Sequence, residues 1–377
     1  FPATPLPTST PFSGTPAGSH QSETQIQLYS IDAKSVSLPI EGSIVIDKAL
    51  DQLSLGEQYL FVSGIDPGDG ITRINLETKK TEPFLDSYFK NGALGMYRII
   101  WRRPWLIFLD VDSMSSTFHW VVRAYNVETK ESRDVLEVQD DISWPGPYYS
   151  FDGQHLAVSY GAYDSDRKCE TSYLWVFNVQ DPNKDLLIDA HCSEYGPFIW
   201  GPVKIHDDIL VAEQDLPQNQ GSVNKIVFYK RDVDNKWHIY HREEQGYNSM
   251  PAMSWPWLVW KYGKRYDYGR KNKAYNFATG ERLFIRVPRG DAYDPQMCNE
   301  WVIWTTVDMS SSQSGIDGSA YFYRLPSGPF VKFSKTTKLG GGFGRFSCLP
   351  NGEVAWLYDI GGQTTLVEWG KLPDPEQ

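Results

Sequence analysis

The chain is poor in the residues on which much enzyme chemistry rests. Histidine occurs 7 times and cysteine 4 times in 377 residues. His20, His119, His155, His191, His206, His238 and His241 are scattered, and no HExxH, HxxEH or CxxC spacing occurs, which argues against the common zinc sites. His238 and His241 in KWHIYHRE could meet only across a strand end. No GxSxG elbow leads into a helix, and GGGFG (340–344) lacks the lysine of a phosphate loop. No segment offers the roughly 18 consecutive apolar residues of a membrane helix. A basic surplus is missing too: 36 Lys and Arg stand against 47 Asp and Glu, net charge -11, which argues against a general nucleic-acid binder.

Aromatic residues are plentiful instead, with 14 Trp, 22 Tyr and 18 Phe, a bias that favours half-buried strands. Seven alternating runs folded about a polar turn can be read, at 26–40, 71–85, 121–136, 174–188, 226–240, 274–285 and 320–333. Their turns centre near Ala33, Thr78, Thr129, Pro182, Asp234, Thr279 and Ser327, with gaps of 45, 51, 53, 52, 45 and 48 residues. A period of this length without helical pattern between repeats predicts propeller blades. Each hairpin is preceded by two further strands, so a blade runs a, b, c, d. The turns a–b and c–d fall on one face, b–c and d–a on the other. The reading is an all-β propeller of seven four-stranded blades over 25–371. The last blade is closed by pairing N- and C-terminal strands, with its outer strand near 26–31. Residues 372–377 form a short C-terminal tail.

SFDGQHLAVSY (150–160) followed by YLWVFNVQ resembles the repeat of bacterial TolB-like, WD-type propellers, in which a Ser-Pro-Asp-Gly turn precedes the second strand. Phe151 replaces the usual proline, and LPNGEVAWLYD (349–359) is a looser second copy. The resemblance implies a fold, and such folds host many functions.

Cys169 and Cys192 fall on one face of one blade under this topology, and Cys298 and Cys348 at a-strand ends of adjacent blades. Two disulfides and an oxidising compartment are expected. Residues 1–24 are rich in Pro, Thr and Ser and read as an extended tail or linker, with Thr4, Thr8, Ser9, Thr10 and Thr15 as O-glycosylation candidates. The start at Phe1 without Met reads as a processed, exported product. Localisation outside the cell or on its surface follows, anchored or free.

Acidic loops at 64–70, 110–116, 163–168 and 308–318 share the b–c face. They make calcium the one cofactor worth considering, although none matches a full EF-hand loop. One b–c loop is basic: Lys261, Tyr262, Lys264, Arg265, Tyr266, Tyr268 and Arg270 interleave charge with amphipathic rings, as a surface for a glycan or an acidic neighbour would. Trp101, Trp105, Trp144, Trp200, Trp255, Trp257, Trp301, Trp304 and Trp356 recur at comparable points and read as packing between blades.

No catalytic constellation stands out. The leading expectation is a non-catalytic surface module for interaction or structure, its partners other copies of itself or cell-surface components. It would assemble head to tail into filaments through Phe1, Leu6 and Phe12 of the tail. The alternative is a carbohydrate-active enzyme or glycan-binding propeller using the b–c/d–a face.

Overall fold

The computed structural model describes residues 23–28, 33–36, 39–64, 69–87, 89, 95–112, 118–140, 147–193, 199–215, 224–243, 246–263, 271–286, 291–307, 320–333, 346–361 and 363–372. Phe1, Leu6, Phe12, the five glycosylation candidates, GGGFG and Trp144 lie outside these. Among the described residues no helix is long and apolar enough to cross a membrane.

The protein is a seven-bladed β-propeller, each blade built on four antiparallel strands. Blades 1 to 6 span 50–85, 95–140, 148–193, 199–243, 247–286 and 291–333, and blade 7 combines 346–371 with Ile40–Ile46. The c–d turns repeat one device. Asn75, Asn126 and Asn276 each accept two backbone N–H groups with the side-chain oxygen, from residues two and three positions on. The fifth turn residue (Lys79, Lys130 or Gly280) is left-handed and donates its N–H back to the Asn carbonyl. The two a–b turns that carried the TolB-like resemblance place Gly153 and Gly352 at φ +117 and +84, which explains their glycines.

Buried side chains gather at each of the seven blade interfaces. Trp105, Trp257, Trp301, Trp304 and Trp356 are buried in them, as the packing reading expects. The inner strands are also tied edge to edge. The Ser54, Ser150 and Ser347 hydroxyls accept the backbone N–H of Trp101, Ile205 and Leu55 on the next blade. The two expected disulfides are present, Cys169–Cys192 within blade 3 and Cys298–Cys348 between the inner strands of blades 6 and 7.

Ring closure is of the expected kind, with different residues. The run 26–40 is not a hairpin. Thr24–Gln27 adds a fifth, parallel strand to blade 5, and Lys34–Val36 does the same on blade 6. The closing outer strand of blade 7 is Ile40–Ile46, antiparallel to Thr364–Lys371. The N-terminal segment thus straps three consecutive blades, and fully buried Leu28 anchors it in the core between blades 5 and 6.

Candidate functional site

Of the basic b–c loop, Lys264, Arg265, Tyr266, Tyr268 and Arg270 lie outside the described residues. Lys261 and Tyr262 end the second strand of blade 5, Trp257–Gly263. The Tyr262 ring packs edge-on against Phe284, and the Lys273 ammonium stands 4.6 Å from its centre. Lys273 is saturated, pairing with Glu243 at 3.2 Å and Glu23 at 3.1 Å. Burial alone would pull this lysine down; the two carboxylates more than offset it and hold its ammonium up. Glu243 also receives Arg282 at 2.9 Å and His241 at 3.0 Å. This is a compensated structural cluster.

Of the acidic b–c loops, 308–318 and most of 64–70 and 110–116 lie outside the described residues, and among the described residues no group of three or more metal-ligating side chains gathers. In blade 3 the Asp164 carboxylate accepts the N–H groups of Asp166 and Arg167, closing an ordinary turn.

A different site emerges where the inner strands meet. Four of them carry the same irregularity, two residues opposite one. Arg98 and Ile99 face Phe108 in blade 2, Gly201 and Pro202 face Glu213 in blade 4. Met250 and Pro251 face Trp260 in blade 5, and Asp294 and Pro295 face Trp304 in blade 6. Such bulges bend a strand and re-aim its side chains. Arg98 and Met250 are left-handed, with φ 52 and 54, a strained backbone for residues other than glycine.

Neighbouring blades hold these bulges in place. The Tyr149 hydroxyl donates to the Arg98 carbonyl, and Ser159 Oγ donates to the Gly201 carbonyl at 2.6 Å. The Met250 N–H donates to Glu213 Oε2 at 2.8 Å. Gly201 leaves room for that carboxylate, since a Cβ there would stand 3.2 Å from it.

Below the bulges, toward the a–b turns, the ring encloses a cavity of about 250 Å³. Arg98, Arg102, Tyr148, Lys204, Gln52 and Gln296 are among its lining residues. The Arg98 guanidinium lies 4.5 Å from the centre of the Tyr148 ring and donates to the Pro147 carbonyl. Arg102, the last residue of the inner strand Gly95–Arg102, stands exposed at the rim.

Three cations therefore share one wall. Burial pulls the half-buried Lys204 ammonium down to about 8, and Arg98 and Arg102 push it the same way. Burial also lowers both guanidinium groups, with Asp152 partly holding up Arg102. Among the described residues no carboxylate pairs with Arg98, Arg102 or Lys204. The one acid acting on Arg102, Asp152, is engaged by His155 and by the N–H groups of Gln154, His155 and Asp207.

None of these cations stood out in the sequence. Their signal is their position, since MYRIIWRR and GPVKIH are inner strands. Pro202, Pro251 and Pro295, at one place in successive repeats, mark the bulge level.

No family model matches the sequence, and no curated protein does. Solved structures match across the ring. The β-propeller domain of the Trilobed protease from Pyrococcus furiosus aligns at TM-score 0.54 and 13% identity, over 87% of this chain and 96% of that one. Pyrococcus horikoshii acylaminoacyl peptidase aligns at TM-score 0.56 and 12% identity, and the chain spans only 52% of it. The polysaccharide lyase Uly1 aligns at TM-score 0.53 and 9% identity, over 89% of this chain and 100% of that one.

At such identity the likeness establishes the fold. It does not bring forward the TolB-like family, because these propellers belong to peptidases and a lyase. The same finding overturns the leading expectation of a non-catalytic module, which has no support among propellers that are enzymes or parts of them.

Proposed function

We propose that this chain is a carbohydrate-active enzyme that cleaves a polysaccharide at the channel cavity. The observation that carries the reading is the cavity wall itself, with Arg98 and Lys204 placed to polarise a ligand and no described acid to neutralise them. A lysine held near 8 can exchange a proton close to neutral pH, as a general base or acid must. A guanidinium fixed by Pro147 and Tyr148 can stabilise charge that develops on a substrate.

One comparison leans toward a polysaccharide: the alignment with the lyase runs over the whole of that protein and 89% of this chain. The two disulfides fit work in an oxidising compartment outside the cytosol, where polysaccharides are met.

The test is to incubate the protein with neutral and acidic polysaccharides and with peptide amides, following new reducing ends, absorbance of unsaturated sugars and amide release. Cleavage of at least one polysaccharide, lost in Arg98→Gln and Lys204→Met, is expected. Amide release without any polysaccharide cleavage would replace this reading with a peptidase one.

A further inference from the structure

We propose that the channel cavity selects acidic sugars, with Arg98, Arg102 and Lys204 forming a receptor for one carboxylate or sulfate group on the polysaccharide. The inference rests on the reading of the channel as a carbohydrate site and narrows its substrate class.

Charge placement argues for it first. The protein is strongly acidic, net -11, yet three cations line one small cavity. Like charges brought together and partly desolvated repel, so a wall of this kind costs folding free energy unless an anion relieves it. The outer cation Lys273, by contrast, has two carboxylates within 3.2 Å. Among the described residues the inner cations have none, which leaves their charge available to a ligand.

Preorganisation argues second. Arg98 sits on a left-handed bulge whose carbonyl is held by Tyr149, while its guanidinium is held by the Pro147 carbonyl and the Tyr148 ring. A planar fork fixed from both ends suits bidentate recognition of carboxylate or sulfate, and little side-chain freedom remains to be lost on binding. Arg102 at the rim and Lys204 on the next-but-one blade complete a half-ring that spans the inner strands of blades 2 and 4. The low-dielectric wall between them concentrates the positive field inside the channel even though the molecule as a whole is negative.

The experiment measures binding rather than cleavage. Trigalacturonate, sulfated maltotriose and plain maltotriose are titrated into the full chain by calorimetry at low salt, the first two arms separating carboxylate from sulfate. At least one anionic trisaccharide should bind about tenfold or more tighter than maltotriose. Arg98→Gln and Lys204→Gln should each lose about tenfold or more of that affinity, while Lys184→Gln, on the exposed outer turn of blade 3 and away from the channel, keeps it.

Equal affinity for maltotriose would overturn the acidic selectivity and leave the carbohydrate reading standing. No binding of either anionic probe, or undiminished binding by both variants, would overturn the receptor, and the polysaccharide assay would still judge the enzyme reading separately. If a variant fails to fold, the thermal shift of the unsubstituted protein decides: stabilisation by an anionic trisaccharide beyond that by maltotriose supports the receptor, and its absence overturns it.

Discussion

Replacing Lys204 with methionine should make the protein more stable. The side chain lines the channel between Arg98 and Arg102 of blade 2, Tyr148 and Tyr149 of blade 3, and the uncharged Met253, Gln296 and Met297 of blades 5 and 6. No charge in that set offsets the ammonium. The fall from 10.5 to about 8, at about 1.4 kcal/mol per pH unit, bounds the folding cost at about 3.5 kcal/mol. Lys204 is only half-buried, and channel water discounts the cost to about 1–2 kcal/mol. With an unfolding entropy of about 2.1 cal/mol/K per residue, 377 residues convert this into a rise of about 1–3 °C. Methionine keeps the apolar stem, so little packing is lost.

The pH dependence supplies the sharper check. A lysine whose folded value is depressed penalises the fold while it is protonated, at and below about pH 8. The penalty lifts as pH rises toward 10.5, where the unfolded chain loses the proton as well. Tyr149, pushed up by burial, keeps its proton through this window, and both arginines keep their charge. Melting curves of both proteins should therefore differ most below pH 8 and converge above 10.5. A variant less stable than its parent at pH 7, or a gap that does not change with pH, would refute the argument that this wall is electrostatically unrelieved.

Glu243→Ala should cost about 3–5 kcal/mol, read as a fall in the denaturation midpoint, because it strands Lys273 and Arg282 beside a buried site. Burial opposes the Glu243 carboxylate, but His241, Lys273 and Arg282 hold it at about 2, so its contribution is complete above 4.5 and lost as pH falls toward 2. The acid limb of the unfolding curve should show that loss in the parent and not in the variant. Removing Cys169–Cys192, which closes 23 residues, should cost about 3 kcal/mol, and removing Cys298–Cys348, which closes 50, about 4 kcal/mol. The second loss should also expose blade 7 to limited proteolysis. Gly370→Ala would place a Cβ 1.8 Å from the Pro39 carbonyl oxygen, so the closing strand must shift; a loss of more than about 2 kcal/mol by chemical denaturation is expected.

The ring was legible because its evidence is local. Alternation marks strands, and turn residues such as Asn75, Asn126 and Asn276 recur at the blade period, so hairpins could be counted without knowing their neighbours. The disulfides followed from the same topology. The N-terminal strap was misread for an equally physical reason. The run 26–40 alternates like a hairpin, but alternation says only that a segment is extended, not which edge it joins. Thr24–Gln27 and Lys34–Val36 pair in parallel with strands some 250–300 residues away, as Thr24↔Leu283 and Lys34↔Val331 show, and no local pattern encodes that choice.

The site stayed hidden because charge was weighed by local density. The loop from Lys261 to Arg270 is dense in charge, yet the cation that stands over its Tyr262, Lys273, is one the structure neutralises with Glu23 and Glu243. Arg98 and Lys204 are single cations in apolar runs, 106 positions apart, and only closure of the ring brings them to one cavity. What separates the two groups is compensation rather than number. A cation with buried carboxylate partners has its field cancelled within the fold, and its replacement is felt as lost stability. A cation that the fold leaves uncompensated acts outward on whatever enters the channel, and its replacement should be felt as gained stability and lost binding. Asking which cations fall on inner strands is a question the repeat alone permits, and it singles out MYRIIWRR and GPVKIH.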